Sequence, residues 1–240
     1  MFQSADDKQA VFKGVTVVDA PIHIVMELLM DSAKKTSFDS FFEECVFVED
    51  ITSDIKGYDT NNWGQAEPAS DLESSYSLFS SSFVVYFSVE IQKFWAPWPV
   101  SKRDFCLAVH KARLENGTII LCGKSVVHEK APEVAKYIRG HVAGGGWLVE
   151  PVDDDHTRIT YASSSDMKGS IPSMIKSAID RKQPALVNQL KPILKKRMKE
   201  LSKMSEEERV KLTAELIGRI HTLPIYTAKE LEQLKQPGVN

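Results

Sequence analysis

The sequence predicts an α+β fold, a curved antiparallel sheet folded round one long C-terminal helix. Three observations predict it. From residue 83 to 166 one strand pattern follows another, with apolar and polar residues alternating and turn residues between the runs. A short helical stripe and an earlier strand precede that run. After it, from Ile171, the apolar spacing changes from period 2 to period 3.6 and keeps that period as far as Leu201. A curved sheet with a helix across its mouth can enclose a cavity.

The elements follow in order. Residues 9–19, QAVFKGVTVVD, are rich in valine and alternate as a strand. Pro21 suits the first position of a helix, and Ile22, Val25, Met26, Leu28 and Leu29 give its apolar stripe. Asp31 to Phe38 continue as a second short helix, and 44–51, ECVFVEDI, return to strand. Residues 54–75 are polar and carry Gly, Asn, Pro and Asp, which marks a long loop or insertion. FVVYFSVEIQKFW (83–95) alternates strongly, and the two prolines of APWP (96–99) end it. RDFCLAVHKARL (103–114) and TIILCGKSVV (118–127) form a hairpin across Glu115-Asn116-Gly117. Residues 128–136 read as a loop. YIRGHV, WLVEPV and TRITYASSSDM read as three further strands, with Gly144–Gly146 and Asp153–Asp155 as turns between them. In the long helix from Ile171, Pro184 and Pro192 predict bends or breaks. Ser205 with Glu208 caps another helix, Leu223-Pro224 ends it, and Thr227 with Glu230 caps a short last one. The expected organisation is one domain over 1–204 with an insertion at about 54–75, followed by a helical extension over 205–240.

The composition bounds the function. With 240 residues, 42% of them hydrophobic and 26% charged, the chain is long enough and apolar enough for a large core. Lys and Arg number 30 against 33 Asp and Glu, a net charge of −3, which does not point to nucleic-acid binding. No run approaches the roughly 20 apolar residues of a membrane span, and MFQSADDKQA lacks the regions of a signal peptide. Three widely spaced cysteines, Cys45, Cys106 and Cys122, suit a reducing, cytoplasmic setting. The sequence holds no GxSxG, GxxxxGK[ST], HExxH or strand-linked GxGxxG motif, and its six histidines have no metal-ligand spacing. A non-enzymatic protein without cofactor or metal is the expectation.

The near-neutral total hides an uneven distribution. Residues 168–204 carry ten basic side chains against Asp180 and Glu200, a surplus of eight, which leaves the rest of the chain at −11. A helix with one apolar and one basic face suits an anionic membrane surface. The same pattern also suits an apolar face packed on the sheet with its lysines in water. Lys176, Arg181, Lys182, Lys195, Lys196 and Arg197 are the candidate membrane-facing or lid residues.

The runs WAPWPVSKRDF (95–105), GTIILCGKSVVHEKAP (117–132), YIRG (137–140), GWLVEPV (146–152) and TRITYASSSDMKGSIP (157–172) resemble, in this order, the motifs of the START (StAR-related lipid transfer) domain. AKKTSFD (33–39) adds a weaker likeness, and the resemblance spans roughly 9–200. It implies a helix-grip fold enclosing a lipid-sized tunnel, and non-enzymatic binding and transfer of one lipid, a phospholipid or related polar lipid. It also implies passing contact with an anionic membrane and a gate formed by the basic helix and the 128–136 loop. By the same resemblance Lys35 and Asp39 stand at head-group positions, although as residues alone they read equally as an exposed i,i+4 pair. Glu90 stands where sterol-binding relatives carry an acid, but the partner arginine position holds Val109; a lone strand Glu also reads as outward-facing. Phe105 fits an aromatic position of choline-binding relatives, whose strand Trp is Gln92 here. Tyr86, Phe94, Tyr161, Met167, Met174 and Ile175 are candidate tunnel residues. Arg103 and Asp104 read as a structural salt bridge or strand anchor, Arg139 as a paired charge and Trp147 as a core aromatic. Two other readings stand beside the carrier: a sterol or other hydrophobic-ligand sensor that engages a protein partner through the insertion or extension, and a helix-grip enzyme using Glu90 with His110.

Overall fold

The computed structural model describes residues 2–3, 10–55, 83–227 and 230. Nearly all of the 54–75 insertion, the side chain of Tyr86 and the tail beyond 230 therefore lie outside the described residues. In chain order the strands are β1 (Phe2–Gln3), β2 (Ala10–Val18), β3 (Phe42–Ile55), β4 (Phe83–Phe94), β5 (Lys102–Leu114), β6 (Ile119–Ser125), β7 (Tyr137–Arg139), β8 (His141–Pro151), β9 (Thr157–Asp166) and β10 (Ile225–Tyr226). The helices are α1 (Ile22–Leu29), α2 (Ser173–Leu201) and α3 (Glu206–His221), with a 3-10 helix over Ser32–Ser37.

All the described strands join one sheet, in the order β1-β2-β9-β8-β6-β5-β4-β3. Among the described residues β1 and β3 end that path and do not pair with each other, so the sheet does not close into a barrel. Every pairing along the path is antiparallel. The two short strands complete β5: β7 pairs in parallel with Lys102–Asp104 and β10 with Arg113–Leu114, where the long neighbours leave its edges bare. The predicted α+β plan is therefore present.

The helix α2 crosses the sheet over β2. A Cβ on Gly14 would stand 2.0 Å from the carbonyl oxygen of Pro184, so only glycine permits this approach. Val187, Leu190, Leu194 and Leu201 of α2 bury themselves against Val18, Val149 and Ile159 of the sheet and against α1. Each such side chain contributes roughly 1.5–3 kcal/mol on removal from water. That packing offsets the two missing ladder donors, and α2 runs through Pro184 and Pro192 as one helix rather than breaking at either. It begins at Ser173, two residues later than its apolar period suggested.

Other elements depart from expectation for local reasons. Pro21 is the N-cap of α1, one position before the helix begins. The segment after α1 is a 3-10 helix, capped by the Asp31 carboxylate on the Ala33 N–H at 3.0 Å. Gly144–Gly146 are not a turn; they lie inside β8, which runs unbroken from His141 to Pro151. A Cβ on Gly146 would fall 2.0 Å from the Leu121 carbonyl oxygen, so these residues let neighbouring strands close up. The helix α3 has the expected capping box: Ser205 Oγ accepts from the Glu208 N–H at 3.2 Å, and Glu208 accepts from the Ser205 N–H at 2.9 Å. The reciprocal pair at Thr227 and Glu230 is present too. α3 packs on α1 and inserts Leu216, 4% exposed, into the main core.

Candidate functional site

Between the concave face of the sheet and the first half of α2 lies a cavity of about 410 Å³. Alternation places its floor. Phe105, Leu107, Val109 and Lys111 project from one face of β5, and Glu90, Gln92 and Phe94 from the matching face of β4. Trp147 of β8 and Tyr161 of β9 add an aromatic wall, their rings 4.6 Å apart, with Phe38 edge-on to Trp147 at 6.0 Å. From α2 the cavity receives Ile179, Lys182, Gln183 and Leu186, the i, i+3, i+4, i+7 stripe of a helix.

One end of the cavity is polar. The Glu90 carboxylate accepts from the Cys45 thiol at 3.3 Å, Ser88 Oγ at 3.1 Å and Gln92 Nε2 at 3.4 Å, with Lys111 Nζ 3.7 Å away. Lys35 Nζ donates to Gln92 Oε1 at 2.7 Å and lies 4.6 Å from the centre of the Phe42 ring. Burial pushes the Lys35 ammonium below its ordinary pKa, against the pull of Asp39, Cys45 and Glu90. Burial first, and the Glu90 charge second, push the Cys45 thiol up to about 12, so it is a proton donor here and not a nucleophile. The Tyr161 hydroxyl is likewise pushed up to about 12 by burial.

The arrangement sorts the expected site residues. Lys35, Asp39, Glu90, Phe105, Tyr161 and Met167 all line the cavity. Lys35 and Asp39 are not an exposed ion pair. The 3-10 helix ends at Ser37, before Asp39, so the two do not share a helical face; Lys35 turns to Gln92, and Asp39 accepts from the Phe41 N–H at 3.1 Å. Glu90 faces inward rather than outward. Met174 does not line the cavity and is 80% exposed, because it sits on the far side of the α2 stripe. Ile175 does not line the cavity, although Ile171 before it and Ile179 after it do. Trp147, expected in the core, borders the cavity.

The charged residues also divide. Arg103 and Asp104 do not pair, because consecutive strand residues point to opposite faces. Asp104, fully buried, is gripped on the outer face by Arg139 through two hydrogen bonds, Nε to Oδ1 at 3.0 Å and Nη2 to Oδ2 at 2.8 Å. Arg103, on the cavity side, donates to the carbonyls of Ser101, Met167 and Lys168, which ties the start of β5 to the approach to α2. Lys176, Arg181, Lys195 and Lys196 are exposed. Lys182 spans the cavity mouth, its Nζ 3.3 Å from Ser40 Oγ and 4.3 Å from the Phe41 ring centre. Arg197 does not face outward. It donates twice to Glu27 of α1, at 2.9 Å each, so its place is a clamp between helices. Burial pulls the Glu27 carboxyl upward, but Arg197 and Lys34 outweigh it and hold it below its ordinary value.

The mouth is formed by residues 37–41, by 95–97 and by α2. The 128–136 loop, expected to be half of a gate, contributes nothing to the cavity lining. It is held on the far rim by His128 Nε2 on Glu49 at 2.6 Å and by Arg139 on the carbonyls of Ala131 and Pro132. Beside the mouth Trp98 is 92% exposed. The sequence reading missed Lys111, Gln183, Cys45 and Trp98. Lys111 was within reach, since 105, 107, 109 and 111 alternate inward together.

The family model of the START domain matches residues 3–200. An uncharacterized protein of Pseudomonas aeruginosa, PA1579, is 32% identical over 87 residues, which are 34% of this chain. The chain spans only 40% of that protein's length. Among solved structures, human StAR-related lipid transfer protein 5 aligns with a TM-score of 0.60 at 16% identity, covering 81% of this chain and 80% of that one. Human STARD10 aligns with a TM-score of 0.60 at 18% identity, covering 95% and 78%. A StAR-related lipid transfer protein fragment from Xanthomonas axonopodis aligns at 0.54 and 17%, covering 80% and 90%. At these identities the likeness to the solved structures is one of fold.

Proposed function

The chain belongs to the START domain family, and from that premise we propose that it binds one polar lipid, a phospholipid or a close relative, and carries it between membranes without altering it. The observation that carries this reading is the cavity itself: about 410 Å³, walled by aromatic and aliphatic side chains, with Lys35, Glu90 and Lys111 grouped at one end. Moving a methylene from lipid into water costs about 0.8 kcal/mol, so a chain of ~16 carbons meets a barrier on the order of 10 kcal/mol. An apolar cavity removes most of that barrier, and the polar end supplies orientation and selectivity.

Exchange requires contact with a membrane. Trp98 at the rim is an interfacial aromatic, and Lys176, Arg181 and Lys182 on the lid half of α2 suit anionic head groups. The protein then works as a peripheral protein of the cytoplasmic face, which agrees with three unpaired cysteines. No described helix is long and apolar enough to cross a membrane.

A sterol carrier is a second reading. It is favoured by the Glu90–Lys111 contact, which supplies a cation two residues beyond Val109. The enzyme reading loses its motive, because His110 faces the opposite side of β5 from Glu90, against Phe87 and Tyr226. A partner reading draws on the 54–75 insertion, since the extension is used internally through Leu216 and Tyr226. The test is transfer of fluorescent lipids from donor to acceptor vesicles. Transfer should rise in proportion to protein for phospholipid probes; rates equal to a protein-free control for phospholipid and sterol probes alike would refute the carrier role.

A further inference from the structure

The first part of α2 is the loosely held side of the cavity mouth. Over Ser173–Gln183 the helix buries no residue, and its N-cap, Pro172, supplies no side-chain cap. Two left-handed residues lead into it, Lys168 and Gly169. Arg103 grips the carbonyls of Met167 and Lys168 there, which fixes the approach to the helix and not the helix itself. The close contact of Gly14 with Pro184 marks the start of the anchored part. Between these two points, among the described residues, one side-chain hydrogen bond joins α2 to the rest of the protein: Lys182 Nζ to Ser40 Oγ at 3.3 Å.

The rim that Lys182 reaches is tied down. Trp95 Nε1 donates to the Ser40 carbonyl at 2.7 Å, the Trp95 N–H to the Phe41 carbonyl at 2.9 Å, and the Phe41 N–H to Asp39 at 3.1 Å. The Phe41 and Trp95 rings lie 5.6 Å apart. Lys182 therefore crosses the mouth from its loose side to its fixed side. What it meets there is neutral: a hydroxyl, and the Phe41 ring with its centre at 4.3 Å. Lys168 and Lys196, before and after it in the chain, each have a carboxylate, Asp166 and Glu200. Lys182 makes no ion pair among the described residues.

An ammonium bonds an ionised phosphate oxygen more strongly than a neutral hydroxyl, and an exposed cation–π contact is weak. A phosphate therefore competes for Lys182. It shifts a two-state equilibrium only if it binds one state better. The closed mouth keeps the ammonium on the rim, and the open mouth frees it. Lys176, Arg181 and Trp98 are exposed on the same part of the molecule, so a membrane held by them brings its phosphates to Lys182. We propose that Lys182 is a latch. It holds the first part of α2 on the Ser40–Phe41 rim in water, and at an anionic membrane it exchanges that rim for a lipid phosphate that no choline neutralises. Surface charge then opens the cavity as well as attracting the protein. This rests on the carrier reading above and adds its regulation; Lys182 acts on the gate and not on the lipid inside.

The experiment measures amide hydrogen exchange over 173–183 in the full chain, alone, with inorganic phosphate, with phosphatidylcholine vesicles, and with vesicles of phosphatidylcholine and phosphatidylglycerol. In wild type, exchange should rise several-fold with the phosphatidylglycerol vesicles and stay near the free value in the other two. Lys182→Met should exchange several-fold faster than wild type before any vesicle is added, and phosphatidylglycerol should add little. Lys182→Arg keeps the charge and the ring contact and should restore the wild-type pattern. Ser40→Ala should shift exchange in the same direction as Lys182→Met. A Lys182→Met chain that matches wild type without vesicles overturns the latch, because a lysine that only attracts the membrane leaves the free protein unchanged. Equal acceleration by inorganic phosphate and by phosphatidylglycerol vesicles overturns the membrane as the trigger. The same proteins are assayed for transfer of a fluorescent phospholipid, where Lys182→Met should be the faster between phosphatidylcholine vesicles. Absence of transfer by wild type and variants alike overturns the carrier reading, while the exchange measurement still decides the latch.

Discussion

Asp104 and Arg139 make up the most deeply buried ion pair described here, with the Asp104 side chain 1% exposed. Removing one partner leaves the other charge uncompensated, so Arg139→Met should destabilise the fold by about 3–5 kcal/mol, read from urea unfolding. A change under about 1 kcal/mol, the range of a surface pair, would contradict the burial argument. Glu27 carries a pH prediction. Its folded pKa lies below the ordinary 4.5, so the stability it contributes is present above pH 4.5 and is lost as pH falls through the depressed value. Glu27→Gln should therefore be less stable than wild type at pH 7, with the gap closing on acidification below 4.5. A gap that stays constant down to pH 3 would show that the Arg197 clamp does not act through charge. At this scale the sequence was partly legible. Motif resemblance located Lys35, Asp39 and Glu90 at the cavity. It gave Arg103 and Asp104 as a salt bridge or strand anchor: the two do not pair with each other, because adjacency in sequence means opposite faces on a strand, but Arg103 anchors the start of β5 and Asp104 pairs with Arg139. It assigned Arg197 to the surface because its partner Glu27 lies far away in the chain.

The two halves of helix α2 differ in packing. All its buried positions, Val187, Leu190, Leu194 and Leu201, and the Arg197 clamp lie after Pro184; the part before it buries no residue, and the cavity lining runs across the proline, from Ile179, Lys182 and Gln183 to Leu186 and Gln189. Hydrogen exchange should therefore be faster over 176–183 than over 187–201, and anionic vesicles should increase the difference. Equal protection of the two halves would argue against a lid that opens at Pro184. Membrane contact should follow the same division. Trp98→Ala, or reversal of Lys176 and Arg181, should weaken co-sedimentation with anionic vesicles several-fold, and salt should weaken it further. Reversal of Lys195 and Lys196, on the anchored half, should matter less. If the two charge-reversal variants lose binding equally, the contact face is wrongly placed. The extension is part of the fold: Leu216→Ala should cost about 2–5 kcal/mol, as for a packed core leucine, measured by thermal or urea unfolding. The order of strands and helices was legible because periodicity is local. The glycine run in β8 and the unbroken α2 were not, since neighbouring strands and core packing decide them.

Across the whole molecule, a net charge of −3 conceals a surplus of eight on residues 168–204, the segment that contains α2. The composition excluded a generally basic protein, and the segment-by-segment count located the basic face. The cavity was foreseeable as a consequence of a curved sheet gripping a helix; its modest volume and the surplus of cations inside it were not, because they depend on which side chains the register turns inward. The most direct test is native mass spectrometry of the intact chain after incubation with vesicles of mixed lipids, before and after exposure to lipid-free acceptor vesicles. The account predicts one chemically unaltered polar lipid per chain, lost to the acceptor on the second exposure. A chain that stays empty, or that releases a modified lipid, would contradict it.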